Sequence, residues 1–97
     1  MVGRVARYEM DPSRCNEAID AFLEAAREIS QLPGFEGGYV MVDSENGAVM
    51  TWTLWQDHAT LEASATHAAA MRRRAIAAVE GDVASVQTFN VVRRFGD

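Results

Sequence analysis

The sequence predicts an α+β fold of order βαββαβ, and three observations carry that prediction. Apolar residues recur at helical spacing from Cys15 to Ile29 and again from Leu61 to Val79. Shorter stretches on either side are strand-like in length and composition. A hairpin signal, "DSENG", joins the second and third strands.

The first strand is expected over Val2 to Met10, where Asp11-Pro12 ends it. Asp11 suits an N-cap because its carboxylate accepts from the free amides of the next turn. Pro12 suits the first helical position, where no amide donor is needed. The helix that follows carries Cys15, Ile19, Phe22, Leu23, Ala26 and Ile29 as its apolar stripe. Pro33 and Gly34 of "LPGFEGG" stop it. "FEGGYVMVD" and "GAVMTWTLW" read as strands, with Asn46-Gly47 able to take up positive φ in the turn between them. Asp57 is placed to cap a helical region with Leu61, Ala65, Ala68, Met71, Ala75, Ile76 and Val79 on its apolar side. A break near Ser64 to His67 would divide that region in two. Gly81 ends it, and the last strand is expected over Val83 to Arg94.

This order gives the ferredoxin-like arrangement, an antiparallel sheet with both helices on one face. On the third strand Ala48, Met50, Trp52 and Leu54 alternate with Val49, Thr51, Thr53 and Trp55, and neither set is charged. A sheet covered on one side only should show a polar second face. The open face is therefore expected to meet a second copy of the chain.

Ninety-seven residues make one domain, 1–97, small enough that association would help it bury surface. A net charge of -5 argues against nucleic acid and against a polybasic membrane surface. The single cysteine, Cys15, can form neither a staple nor a zinc site, and its place on the helical stripe makes it a core residue. No apolar run is long enough to span a membrane, and "MVGRVARYEMD" lacks the apolar core of a signal peptide, so a cytoplasmic location is expected.

"LPGFEGGYVMVDSENGAVMTWTLWQDHATLEAS", Leu32 to Ser64, resembles the antibiotic biosynthesis monooxygenase superfamily of dimeric α+β barrels. The shared pattern is a PGF-type turn, a strand, a Gly-containing hairpin, a strand ending in Trp and an acid-capped helix. The resemblance implies a homodimer with a small-molecule pocket between sheet and helices in each subunit. It also implies, as one activity among several in the family, cofactor-free oxygenation of a small phenol- or quinol-type aromatic. The quinone-forming members resemble one another in an Asn four residues before the strand-ending Trp, that Trp, a Tyr early in the next helix and an Arg later on it. Those positions fall here on Thr51, Trp55, Leu61 and, with a short deletion, Arg72. Thr51, Trp55 and Leu61 are thus candidates for binding substrate. The haem-degrading branch uses an Asn, a Trp and a His that fall near Ala6 to Tyr8, near Ser64 and near Arg74. None is matched, so neither haem nor a metal is expected as a cofactor.

The residues themselves add roles. Arg72 falls within the apolar stripe beside Ala68, Ala75 and Val79, where a guanidinium needs a partner. Either it pairs with Glu80 or Glu62, it snorkels to water, or it anchors an anion at a pocket. His67, at the expected helix break, is the candidate to move a proton, whereas His58 beside the cap is expected to be exposed. Trp55 either fills the core, with one partner for its N–H, or walls the pocket. Trp52 points to the opposite face. Tyr8 and Tyr39 are possible sources of a phenolic hydroxyl. Two functions stay open: an oxygenase using Arg72 and His67, and a binding or structural homodimer without that chemistry.

Overall fold

The computed structural model describes residues 1–96. The order is β1 (Val2–Glu9), α1 (Cys15–Ile29), β2 (Phe35–Asp43), β3 (Ala48–Trp55), α2 (His58–Ala77) and β4 (Asp82–Asn90), with a 3₁₀ turn at Pro12–Arg14 leading into α1. All neighbouring strands pair antiparallel in the order β2-β3-β1-β4, which is the predicted ferredoxin-like sheet. Asp11 caps the 3₁₀ turn by accepting from the Ser13 amide, so α1 itself starts three residues later than the Pro12 start that the sequence suggests.

Strand alternation divides β1 sharply. Val2, Arg4, Ala6 and Tyr8 are buried beneath the helices, together with their β3 partners Trp55 and Val49. Phe22 and Ile29 of α1 and Leu61, Met71 and Ile76 of α2 pack onto this face in one continuous core. Burying side chains such as Leu61 or Phe22 contributes about 1.5–3 kcal/mol apiece. Cys15 is buried in the same core.

The other face stays bare. Trp52 pairs laterally with Tyr39, and the two are 42% and 61% exposed; Met41 and Phe89 on the same face are 44% and 50% exposed. Single exposed apolar residues are ordinary, but four large ones on one sheet face form a patch of the kind that marks an interaction surface. No described helix is long and apolar enough to cross a membrane.

Two expectations are corrected here. On α1 the buried residues are Cys15, Ala18, Phe22, Ala25 and Ile29, whereas Leu23 is 48% exposed and Ile19 and Ala26 are half-buried. The helix has turned its alanines onto the neighbouring elements, because small side chains allow close approach. The second helix is unbroken from His58 to Ala77. Asp57 and Thr60 form a capping box, and Ser64, buried, satisfies its hydroxyl by donating to the Leu61 carbonyl at 2.7 Å, so nothing forces a break at Ser64 to His67. The helix ends through Glu80, which adopts a left-handed φ of 53°, while the Gly81 amide donates to the Ile76 carbonyl at 3.1 Å.

In the β2–β3 turn only Gly47 needs positive φ (66°), and its carbonyl accepts from the Met10 amide at 2.8 Å. A Cβ built there would lie 2.0 Å from the Met10 carbonyl oxygen. Gly47→Ala is therefore expected to destabilise the fold by more than about 1 kcal/mol, read from the midpoint of urea unfolding. Asp57 is held below the ordinary carboxylate value of 3.8 by the Thr60 amide, then by the Thr60 hydroxyl. Its contribution is thus present above that value and lost as pH falls through the lowered one. Asp57→Ala should lower Tm at neutral pH, and the gap from wild type should close on acidification.

Candidate functional site

A cavity of about 530 Å³ opens between α1, α2 and the β2–β3 half of the sheet. Its origin is a shortage of bulk. The paired segments Gly38–Val40 and Thr51–Thr53 form the floor, with a glycine and two threonines on the helix side. Ala25, Ala26 and Ala68 are among the residues the two helices place opposite. Gly38 is required there: a Cβ built on it would lie 2.3 Å from the Trp52 carbonyl oxygen. Phe22, Leu23, Ile29, Phe35 and Val40 make most of the wall apolar, which also explains why α1 leaves Leu23 outside the core.

The inner end is polar. Arg4 is 7% exposed, and its Nη2 donates to the Leu61 carbonyl at 3.1 Å. Its Cζ lies 6.0 Å from the centre of the Trp55 ring, at the outer reach of a cation–π contact. Arg72, half-buried on α2, lines the same cavity. The two ion pairs among the described residues are Arg14–Glu17 at 3.0 Å and Arg74–Glu28 at 3.9 Å, so neither Arg4 nor Arg72 has a carboxylate within ion-pair distance. Burial, and next the charge of Arg72, push the Arg4 guanidinium below its usual value; Glu62 works against both.

Tyr8 stands beside them, fully buried, its ring tilted against Phe22 with centroids 4.5 Å apart. Its hydroxyl completes no hydrogen bond. Thr51 lies near enough to favour the phenolate, as do Arg72 and Arg4, yet burial outweighs all three and raises the phenol above its usual value. Tyr8 is accordingly a neutral phenol whose buried hydroxyl completes no hydrogen bond within the protein.

Of the sequence candidates, Thr51 and Arg72 line the cavity, and neither Glu80 nor Glu62 pairs with Arg72. Three others do not line it. Trp55 is completely buried in the core beneath Phe35, edge to face at 5.5 Å, and its ring N–H donates to the Thr53 hydroxyl at 3.0 Å. Its ring lies beneath the Arg4 guanidinium and not on the cavity wall. Leu61 is a core residue, 2% exposed, whose carbonyl is used by Arg4 and Ser64. His67 is exposed and off the cavity wall, because the unbroken helix carries it to the solvent side. His58 is also exposed, with its Nε2 3.0 Å from the Asn90 side-chain oxygen. No group of three or more described His, Cys, Asp or Glu residues is placed to hold a metal.

Arg4 went unnoticed in the sequence. The signal available was its phase: it alternates with Val2, Ala6 and Tyr8, the more apolar of the two sets on β1, whereas Gly3, Val5, Arg7 and Glu9 make the other.

Comparison with known proteins agrees with this architecture. Among solved structures, SnoaB, a cofactor-independent oxygenase from Streptomyces nogalater, shares 16% identity at a TM-score of 0.75, covering 99% of this chain and 97% of that one. A protein of Deinococcus radiodurans described as an antibiotic biosynthesis monooxygenase shares 12% identity at a TM-score of 0.80, covering 100% and 98%. A variant of MhuD carrying two manganese protoporphyrin IX molecules per active site shares 22% identity at a TM-score of 0.78, covering both chains fully. At these identities the likeness is one of fold. No curated protein matches the sequence. The family profile for antibiotic biosynthesis monooxygenase matches residues 1–78, and the chain belongs to that family.

Proposed function

We propose that the protein is a homodimeric, cofactor-independent monooxygenase that oxidises a small phenol- or quinol-type aromatic in this cavity. The observation that carries the reading is the cavity itself, an apolar slot whose inner end holds two arginines without carboxylate partners. An apolar slot suits a flat ring. Unpaired guanidinium groups in a low-dielectric site stabilise negative charge strongly, so they lower the cost of ionising the bound phenol. The resulting anion is the reductant. It passes electrons to O₂, a C–O bond forms at the activated ring carbon, and loss of water leaves a carbonyl. For an anthrone-type CH₂ the balance is CH₂ + O₂ → C=O + H₂O. Arg72 stabilises the anion and Thr51 contacts the ring on the floor. With His67 on the solvent side, the substrate proton leaves through the open mouth of the cavity.

Haem does not fit this site. Both imidazoles, His58 and His67, are outside the wall, so a porphyrin iron would meet no histidine ligand there. A second reading, a binding protein of the same fold without oxygenase chemistry, is favoured by that same absence of a base beside the ring.

Oxygen uptake separates the two. With a panel of anthrones and quinols, wild type is expected to consume one O₂ per substrate molecule oxidised. Arg72→Ala should lose about tenfold or more in kcat/KM, the size expected for one charge-stabilising donor. No uptake with any ring system would favour the binding protein, and an unchanged rate in Arg72→Ala would remove Arg72 from the reaction. The homodimer rests on the bare sheet face. Sedimentation is expected to give a dimer at micromolar concentration, and Trp52→Glu should shift it to monomer.

A further inference from the structure

Building on the aromatic-binding reading, we propose that Arg4, Arg72 and the Tyr8 hydroxyl together form a receptor for a carboxylate, so that the ligand is an aromatic acid. Three observations meet at the inner end of the cavity. Arg4 is more than nine-tenths buried and makes a single side-chain hydrogen bond, to the Leu61 carbonyl, leaving most of its five N–H donors unassigned. Arg72 brings a second positive charge to the same wall, close enough to weigh against protonation of Arg4. The Tyr8 hydroxyl is buried with no partner.

Each of these is costly in the free protein. Like charges in a region of low dielectric repel, and a buried hydroxyl without a partner forfeits its hydration. One ligand group relieves all three at once. It must be anionic to lie between two guanidinium groups, and it must offer several lone pairs to accept from both arginines and from a phenol. A planar carboxylate meets those demands, because its two oxygens match the fork of an arginine and leave lone pairs for the Tyr8 donor. A neutral phenol brings no charge. A phenolate offers a single oxygen, and only after the proton has been removed. In the bound acid the carboxylate would sit deepest, with the ring between Phe22 and Val40 and its reactive edge toward the mouth. The net charge of -5 sharpens the point, since the bulk of the protein repels an acid that this one pocket attracts.

The test is calorimetric titration of the full chain with three matched probes: 1-hydroxy-2-naphthoate, its carboxamide and 1-naphthol. The acid is expected to bind at least about tenfold more tightly than either neutral probe, the least that one charge-assisted contact provides. Tyr8→Phe should lose most of that preference while its Tm without ligand equals or exceeds that of wild type, because the substitution removes an unsatisfied buried hydroxyl. Arg72→Gln should lose the preference likewise, and added salt should weaken binding of the acid only. Arg4 is too deeply buried to be a clean probe, so Tyr8 and Arg72 carry the test. Equal affinity for acid and carboxamide in wild type, or an unaltered preference in both variants, overturns the receptor. Binding of the acid without oxygen uptake would support the receptor and count against the oxygenase, whereas uptake with neutral quinols and no preference for the acid would do the reverse.

Discussion

The Arg4 guanidinium lies in the core of this small domain, held by the Leu61 carbonyl and the face of Trp55, with no carboxylate among the described residues in ion-pair reach. A buried charge of this kind is tolerated only where its surroundings are fixed. Its position therefore constrains what surrounds it. Trp55 must stay in the core to support it, α2 must begin early enough to present the Leu61 carbonyl, and the capping box at Asp57 and Thr60 sets that start. Tyr8, four residues along the same strand, is held inward by the same alternation. The polar end of the cavity is thus built from the centre of the sheet, and Arg72 is added to it from α2.

The apolar remainder of the cavity has a different cause. Where β2 and β3 pass under α1, the inward positions are short, and the helices contribute alanines, so the two layers meet without filling the space between them. In a protein interior such a gap forfeits dispersion contacts along its lining. The outer face of the same strands carries the large side chains instead: Tyr39, Met41 and Trp52. Bulk displaced from the helix side to the open side connects the cavity with the exposed sheet face. One strand, β3, supplies Thr51 to the hollow and Trp52 to the surface in consecutive residues.

Much of this was legible in the sequence because it rests on local rules. The element order, the Asp11 and Asp57 caps and the Gly47 turn follow from residue types whose backbone preferences are strong. Opposite faces for Trp52 and Trp55 follow from the period of a strand. The site was less legible because it depends on helix phase and continuity. His67 faces the cavity only if the helix breaks near Ser64, whereas α2 runs unbroken from His58 to Ala77 with the Ser64 hydroxyl satisfied inside it. Ile19, Leu23 and Ala26 have the apolar spacing of a core stripe, yet packing selected the neighbouring Ala18 and Ala25 because close approach rewards small side chains. Trp55 matches the family's strand-ending Trp in sequence and Leu61 stands where the family has a Tyr, but here the core has absorbed both. Arg4 carries no motif. Only the burial of its strand-mates marks it, and that requires knowing which face of β1 the helices cover.

The most direct measurement is a crystal structure of the full chain with 1-hydroxy-2-naphthoate bound. The expected result is a carboxylate with its oxygens about 2.7–3.1 Å from nitrogens of Arg4 and Arg72 and from the Tyr8 hydroxyl, and the ring lying along the apolar wall. A ligand held with its carboxylate in solvent at the mouth, or the inner end closed by an ion pair between Arg4 and Glu62, would contradict it.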